Sequence, residues 1–227
     1  MKKIVTSVCL CVGLAMPVFA HQLWLERHGN SIREYFGHWP NFKEKADGKR
    51  LEAIKGDVVF PKEIYAKTIR HDDHVEIHVK KNGDVAVTEA MPPRKGKMVD
   101  FVVRTIFLAR NGISESKALI ELDLVPESAN STTFTLMFKN QPLPKAKVTL
   151  TGPHTWSKNF STNEQGKVTL STPWRGDYIV SVDYEDKNKG TLNGVEYVQT
   201  NYVMSLFFNV KEGIEWVKPV KEEKQDN

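Results

Sequence analysis

His21 is the residue with the clearest chemical potential, because of what precedes it. Residues 1–20 are typical of a secretory signal, in which Lys2 and Lys3 are followed by a mostly apolar run that ends at the small residue Ala20. We expect cleavage after Ala20, which makes His21 the first residue of the mature chain. Its free α-amino group and its imidazole Nδ1 would then close a six-membered chelate ring around a metal ion. An internal histidine offers one donor only.

A second histidine, His38, follows one predicted strand later, in Gly37-His38-Trp39. Two neighbouring antiparallel strands would bring His38 to His21, and an amine with two imidazoles forms a T-shaped three-nitrogen set. That set suits Cu(II) and, less well, Ni(II). The alternative is that His38 is an ordinary turn residue and that His21 follows the cleavage point incidentally. In the metal-binding interpretation, neighbouring aromatic residues shield the site: Trp24, Phe36 and Trp39.

Another concentration of histidines starts with the run His-Asp-Asp-His at 71–74. Alternation along a strand puts His74, Glu76 and His78 on one face. We interpret this as a solvent-facing strand, because side chains two residues apart project in parallel and do not converge easily on one ion. A weak, adventitious metal site in this grouping, formed by the run 71–74 with Glu76 and His78, is the alternative.

The remaining sequence lacks the motifs of common enzymes. There is no G-x-S-x-G elbow, no H-E-x-x-H helix and no phosphate loop, and no spacing selects a catalytic triad. We therefore predict that the protein is not an enzyme. Two further histidines lack obvious partners, namely His28, expected at the surface, and His154, expected in a loop.

The composition limits which cellular compartment and which partners are expected. Removing Lys2 and Lys3 with the signal leaves 207 residues with 30 basic and 28 acidic side chains, a formal charge of +2. This balance is not the footprint of a nucleic-acid-binding protein. Cys9 and Cys11 both lie in the signal, and no later apolar run approaches the ~20 residues of a spanning helix. We predict a periplasmic protein without thiols, without nucleic acid as a partner and without a membrane span after cleavage.

Short alternating apolar runs predict strands throughout, so the expected fold class is all-β, with two β-sandwich domains. Asn82-Gly83 predicts a hairpin turn, with 84–88 as the returning strand. The segments 140–148, 163–168 and 176–180 resemble a small Ig-like module of the prealbumin or carboxypeptidase-regulatory kind. The predicted divisions are a signal peptide at 1–20, an N-terminal sandwich at 21–128, an Ig-like sandwich at 129–212 and a charged tail at 213–227.

Several segments together resemble a family of bacterial periplasmic proteins, a domain of unknown function linked to nickel or cobalt uptake and sometimes called the periplasmic component of a cobalt/nickel transport system. The resemblance implies a periplasmic all-β protein with a histidine at the mature amino terminus and a role with metals. The segments are 21–26, 35–39, 49–54, 142–148, 163–170 and 173–178.

The predicted function is therefore that of a periplasmic metal-binding protein that delivers nickel, cobalt or copper to an uptake or handling system, with an inner- or outer-membrane transporter as a partner. His21 and His38 are the predicted metal ligands, and a third protein ligand is open. One alternative is a copper oxidase or monooxygenase built on the same amino-terminal histidine. The other is an envelope interaction module that works without metal.

Overall fold

The structure is a computed structural model that describes residues 21–48, 50–96 and 99–216. The predicted signal peptide at 1–20 and residues 217–227 of the predicted tail lie outside the described residues. Within those ranges the chain forms nineteen strands, a few 3₁₀ turns and no α-helix, which confirms the all-β prediction. No helix of the described part has the length and apolarity needed to cross a membrane.

The strands of the first half are β1 Gln22–His28, β2 Ser31–His38, β3 Phe42–Lys43, β4 Val59–Phe60, β5 Tyr65–Arg70, β6 Val75–Val79, β7 Val85–Ala90, β8 Arg94–Lys95, β9 Val102–Asn111 and β10 Leu122–Pro126. Those of the second half are β11 Thr133–Phe138, β12 Gln141–Pro142, β13 Lys147–Thr151, β14 Ser157–Ser161, β15 Lys167–Thr169, β16 Gly176–Asp186, β17 Gly190–Leu192, β18 Val195–Tyr197 and β19 Gln199–Val210. The 3₁₀ turns lie at Ala46–Gly48, Leu51–Ala53, Lys62–Ile64 and Pro153–Thr155.

Three packed sheets make up the architecture. Sheet I has the order β1-β2-β6-β5, with β3 added to β2. Sheet II has the order β14-β13-β16-β19-β9-β7-β4, with β8 added to β9, and sheet III is formed by β10, β11, β12 and β15. Strands β17 and β18 form a separate two-stranded ribbon.

Sheet II is the middle layer, because successive residues of its strands belong to two different cores. On β9, Leu108 packs with the apolar residues of sheet III, whereas Phe107 and Ala109 pack with those of sheet I. Alternation along the strand produces both faces. The sheet-on-sheet packing expected of a β-sandwich is thus present on each side of sheet II.

Strand β1 is an edge strand of sheet I, and its backbone is covered by sheet II. The amide of Asn111 donates a hydrogen bond to the carbonyl of Leu25 at 3.0 Å, and the hydroxyl of Ser205 donates to the carbonyl of Leu23. These side chains satisfy carbonyl groups that would otherwise remain unpaired at the edge. The contacts fix the beginning of the described chain, and therefore His21, against the rest of the molecule.

The predicted hairpin at Asn82-Gly83 is wrong. Strand β6 pairs with β2 and β5 in sheet I, whereas β7 pairs with β4 and β9 in sheet II. The physical reason is burial: Val85, Ala86 and Val87 are all inaccessible, so β7 needs cover on both faces. Gly83, with φ of +139°, turns the chain from one sheet to the other.

Strands from both sides of the predicted division at residue 128 meet in the same sheets. Strand β9 pairs in parallel with β19, from Val103 opposite Gln199 to Asn111 opposite Phe207. Strand β10 pairs with β11 across the division itself. The two predicted segments therefore share sheets II and III.

Candidate metal centre

The hairpin β1–β2 brings His21 and His38 together. Its two-residue turn, Gly29-Asn30, sets a register in which Gln22 lies opposite Gly37, so His21 falls opposite His38. Nδ1 of His21 lies 3.2 Å from Nε2 of His38, and the two rings meet edge to face with centroids 4.5 Å apart. The predicted pair of imidazoles is thus adjacent in the fold.

A carboxylate that the sequence analysis did not identify completes the group. Gly37, with φ of +147°, lets β3 fold back tightly against β2, since a Cβ there would lie 2.2 Å from the carbonyl oxygen of Phe42. The return is sealed by the amide of Glu44, which donates to the carbonyl of Phe36 at 2.8 Å. Oε1 of Glu44 then lies 2.5 Å from Nε2 of His21. We call His21, His38 and Glu44 the His21 cluster.

The Glu44 contact selects a tautomer of His21. Nη1 of Arg50 lies 2.9 Å from Oε1 of Glu44 and 2.8 Å from Nε2 of His21. Nε2 cannot both accept from Arg50 and donate to Glu44. The bond to the carboxylate is the stronger one, because its acceptor is charged and its donor–acceptor distance is shorter. Nε2 of His21 therefore carries the proton, and the lone pair of Nδ1 faces His38, whose Nε2–H donates to it at 3.2 Å.

Electrostatics favour the same protonation states. Burial raises the pKa of Glu44, but the hydrogen bonds from His21 and Arg50 outweigh burial, and the net effect holds that pKa below its usual value. Burial, reinforced by the nearby His21 ring, lowers the pKa of His38. Glu44 is thus an anion and His38 a neutral imidazole near pH 7, as a metal site with one orienting carboxylate requires.

The geometry suits a cation held between the two imidazoles. Ligand atoms bound at about 2.0–2.1 Å in a planar, T-shaped set lie roughly 2.9 Å apart when adjacent and roughly 4.1 Å apart when opposite, so Nδ1 of His21 and Nε2 of His38, 3.2 Å apart, need only a small shift to bind one ion. Glu44 holds the ring of His21 from its far side, like the carboxylates that orient metal-bound histidines in other proteins.

The aromatic surroundings differ in part from the prediction. Phe36 does pack against His21, with ring centroids 5.3 Å apart. Trp24 and Trp39 instead join a small core with Tyr35, Ile179 and Phe207. The reason is alternation, since Trp24 and Tyr35 point to the opposite face of the hairpin from His21 and Phe36. Phe42, 49% exposed, lies edge-on to both imidazoles and borders the solvent side of the site.

The histidines at 71–78 lie on the other face of sheet I. Val75, Ile77 and Val79 are buried in the core, which leaves His74, Glu76 and His78 on the opposite side, as alternation predicts. The strand is not simply solvated, however, because the side chain of His74 is only 10% exposed. His71 joins it from the end of β5. We call His71, His74 and Glu76 the His71 cluster, and their ligand atoms all lie within 4.8 Å of one another.

The two other histidines, His28 and His154, belong to neither cluster. The side chain of His28 is 43% exposed at the β1–β2 turn, as expected. His154 lies in the 3₁₀ turn at Pro153–Thr155, where its ring stacks on Trp216 at a centroid distance of 5.2 Å. The sequence placed both correctly, one at the surface and one in a loop.

Comparison of the chain with protein-family models, with curated proteins and with solved structures finds no match.

Proposed function

We propose that this is a periplasmic metal-binding protein whose amino-terminal histidine, once the signal is removed after Ala20, chelates a divalent transition metal together with His38. The metal is nickel, cobalt or copper, and the protein passes it to an uptake or handling system in the envelope, such as a membrane transporter. His21 supplies its α-amino nitrogen and Nδ1, and His38 supplies Nε2. Glu44 is the positioning residue.

The observation that carries the proposal is the approach of Nδ1 of His21 to Nε2 of His38 at 3.2 Å, with Glu44 on the far nitrogen of His21. An incidental pair of turn histidines has no need of a carboxylate that holds one ring in the tautomer required for chelation. The segments 21–26 and 35–39, in which the chain resembles the periplasmic cobalt/nickel family, contain the two proposed ligands.

The donor set orders the metals by affinity. Nitrogen ligands bind Cu²⁺ more tightly than Ni²⁺, and Ni²⁺ more tightly than Co²⁺. A protein that handles nickel or cobalt with this set would therefore depend on metal supply and on site geometry for selectivity. Titration with each ion separates these cases.

The test is isothermal titration calorimetry of Cu²⁺ and Ni²⁺ into protein that begins at His21, as verified by amino-terminal sequencing. We expect a tight site with one ion per chain, and we expect His21→Ala and His38→Ala each to weaken it by at least about 10-fold. His28→Ala, on the same hairpin but exposed at its turn, is the matched control and should leave the tight site intact.

Absence of Cu²⁺ and Ni²⁺ binding, or equal binding by His21→Ala, would refute the proposal. A secreted form that begins at another residue would refute the chelate, because the amine would then be elsewhere.

A further inference from the structure

The β5–β6 turn brings two imidazoles and a carboxylate together on the face of sheet I opposite the His21 cluster. We propose that His71, His74 and Glu76 form a second metal site, which takes Zn²⁺ or an ion of similar chemistry. This site needs no free amino terminus, and it is independent of the proposed function of the His21 cluster.

The turn itself creates the convergence. The amide of His71 donates to the carbonyl of His74 at 2.9 Å, so Asp72-Asp73 is a two-residue turn and the two histidines face each other across it. Their rings stack with centroids 4.5 Å apart and an interplanar angle of 11°. Because an imidazole binds a metal ion in the plane of its ring, the His71 ring has to turn out of this stack to share an ion with His74. Glu76 lies two residues further along β6, on the same face. His71, on the other side of the turn, thus supplies a ligand that three residues of one strand could not direct at the same ion.

The distances are close to those of a bound ion. Nε2 of His71 lies 3.1 Å from Oε2 of Glu76, near the roughly 3.3 Å that separates two ligands in a tetrahedral site with bonds of about 2.0–2.1 Å. All three ligand atoms lie within 4.8 Å of one another, so one side chain has to move inward by about 1–1.5 Å. His71, 41% exposed, has room to make that movement.

His74 is the fixed member, and its contacts define which nitrogen is available. Its Nδ1 lies 2.6 Å from Oδ1 of Asp73, so the Nδ1 proton is donated to that carboxylate. Its Nε2 is buried and has no hydrogen-bond partner among the described residues. A buried nitrogen without a partner is costly, and a cation would satisfy it. The arrangement carboxylate–imidazole–open lone pair is that of a histidine prepared for a metal.

Glu76 lies close to a second histidine as well. Its other oxygen, Oε1, lies 3.1 Å from Nε2 of His78, which like Nε2 of His74 is buried and without a hydrogen-bond partner among the described residues. Two imidazoles and one carboxylate are the protein ligands of many open zinc sites, which leave a further position to water. Ca²⁺ and Mg²⁺ prefer oxygen donors throughout, so the nitrogen content of this set selects against them.

The experiment disables the His21 cluster first. Full-length mature protein carrying His38→Ala, with a six-residue Gly-Ser extension ahead of His21, is titrated with Zn²⁺ near neutral pH, in competition with a chelating dye. We expect one Zn²⁺ per chain in this background. Adding His71→Ala or Glu76→Gln should lower the Zn²⁺ affinity by at least about 10-fold, whereas His28→Ala should not change it.

His71 is exposed and Glu76→Gln is isosteric, so circular dichroism should show these variants folded. Failure of the background protein to bind Zn²⁺ would overturn the second site, and so would unchanged binding by His71→Ala. Neither result bears on the His21 cluster, whose Cu²⁺ binding is measured with its own variants.

Discussion

The two histidine clusters lie on opposite faces of one sheet and reach similar ligand spacings by different means. In the His21 cluster, hairpin register and the tight return of β3 join residues 21, 38 and 44. In the His71 cluster, a two-residue turn brings the residues together within the six-residue segment 71–76. In each cluster one histidine contacts a carboxylate through one of its ring nitrogens. Nε2 of His21 contacts Glu44, and Nδ1 of His74 contacts Asp73.

The two clusters differ in whether a backbone group, the α-amino nitrogen, acts as a ligand. The His21 cluster depends on a free α-amino group that exists only after processing, whereas the His71 cluster uses side chains alone. The first should therefore be silent in the precursor and active in the exported form. The second should bind its ion in both forms. The first three predictions below each act on one cluster and leave the other as an internal reference.

The largest effect should come from a six-residue Gly-Ser extension placed before His21. This addition keeps every side chain but converts the chelating amine into a peptide nitrogen. We expect Cu²⁺ affinity at the His21 cluster to fall by about 100-fold or more, because two linked donors become one. Zn²⁺ affinity at the His71 cluster should not change. Competition titrations with the two ions measure both, and equal Cu²⁺ affinity in the extended protein would contradict the terminal chelate.

Glu44→Gln should have the next largest effect. The amide keeps the shape of the side chain but lacks the charge that holds the proton on Nε2 of His21, so we expect an about 10-fold or greater loss of Cu²⁺ affinity. Glu52→Gln, in the neighbouring 3₁₀ turn and exposed, is the matched control. If both variants bind Cu²⁺ like the unaltered protein, Glu44 does not position the site.

Asp73→Asn should produce a smaller loss at the other cluster. Asp73 is 45% exposed and water can replace part of its contact with His74, so we expect the Zn²⁺ affinity to fall by about 10-fold at most. Asp72→Asn changes the same turn at the neighbouring carboxylate and serves as the control. Calorimetry in the background with the His21 cluster disabled gives the comparison. An identical loss in both variants would mean that net charge, rather than the contact to His74, matters.

Two carboxylates on the inner face of sheet I should give stability opposite responses to pH. Burial, reinforced by the charge of Glu89, raises the pKa of Glu34 well above its usual value, and neither of its oxygens has a hydrogen-bond partner in the described part of the chain. The stability that its neutral form contributes is lost as pH rises through the raised pKa. The lowered pKa of Glu44 contributes stability above its unfolded value, which is lost as pH falls through the folded one.

Glu34→Gln should therefore reduce the loss of stability with rising pH, which runs from the usual glutamate pKa up to the raised one, by up to about 1.4 kcal/mol per pH unit. Urea denaturation without metal, from about pH 5 to about pH 9, measures the slope. This response belongs to neither cluster and has to be subtracted from any pH dependence of metal binding. If the slope of the unaltered protein is retained in Glu34→Gln, the buried carboxyl is not its source.

Sequence reasoning predicted the fold class and one cluster, and its failures have physical causes. The all-β class was predicted correctly, because short alternating runs between turn residues leave few alternatives to strands. The hairpin at Asn82-Gly83 failed because local turn chemistry cannot reveal that β7 needs cover on both faces. The meeting of His21 and His38 followed from strand adjacency and did occur.

Glu44 was missed because it lies in a polar segment, 41–50, that is typical of a loop. The available signal was Gly37, whose positive φ permits the close return of the chain. The His71 cluster was discounted because only residues of one strand were considered together. Contact between residues on the two sides of a turn depends on the exact length of that turn. The only sign of this contact in the sequence was that a histidine stands on each side of Asp72-Asp73.

The most direct measurement is the electron paramagnetic resonance spectrum of protein that begins at His21, loaded with one equivalent of Cu²⁺. We expect nitrogen hyperfine structure from three nitrogens, one fewer in His38→Ala, and loss of the pattern when a six-residue Gly-Ser extension precedes His21. A spectrum that stays the same in the extended protein would contradict the terminal chelate.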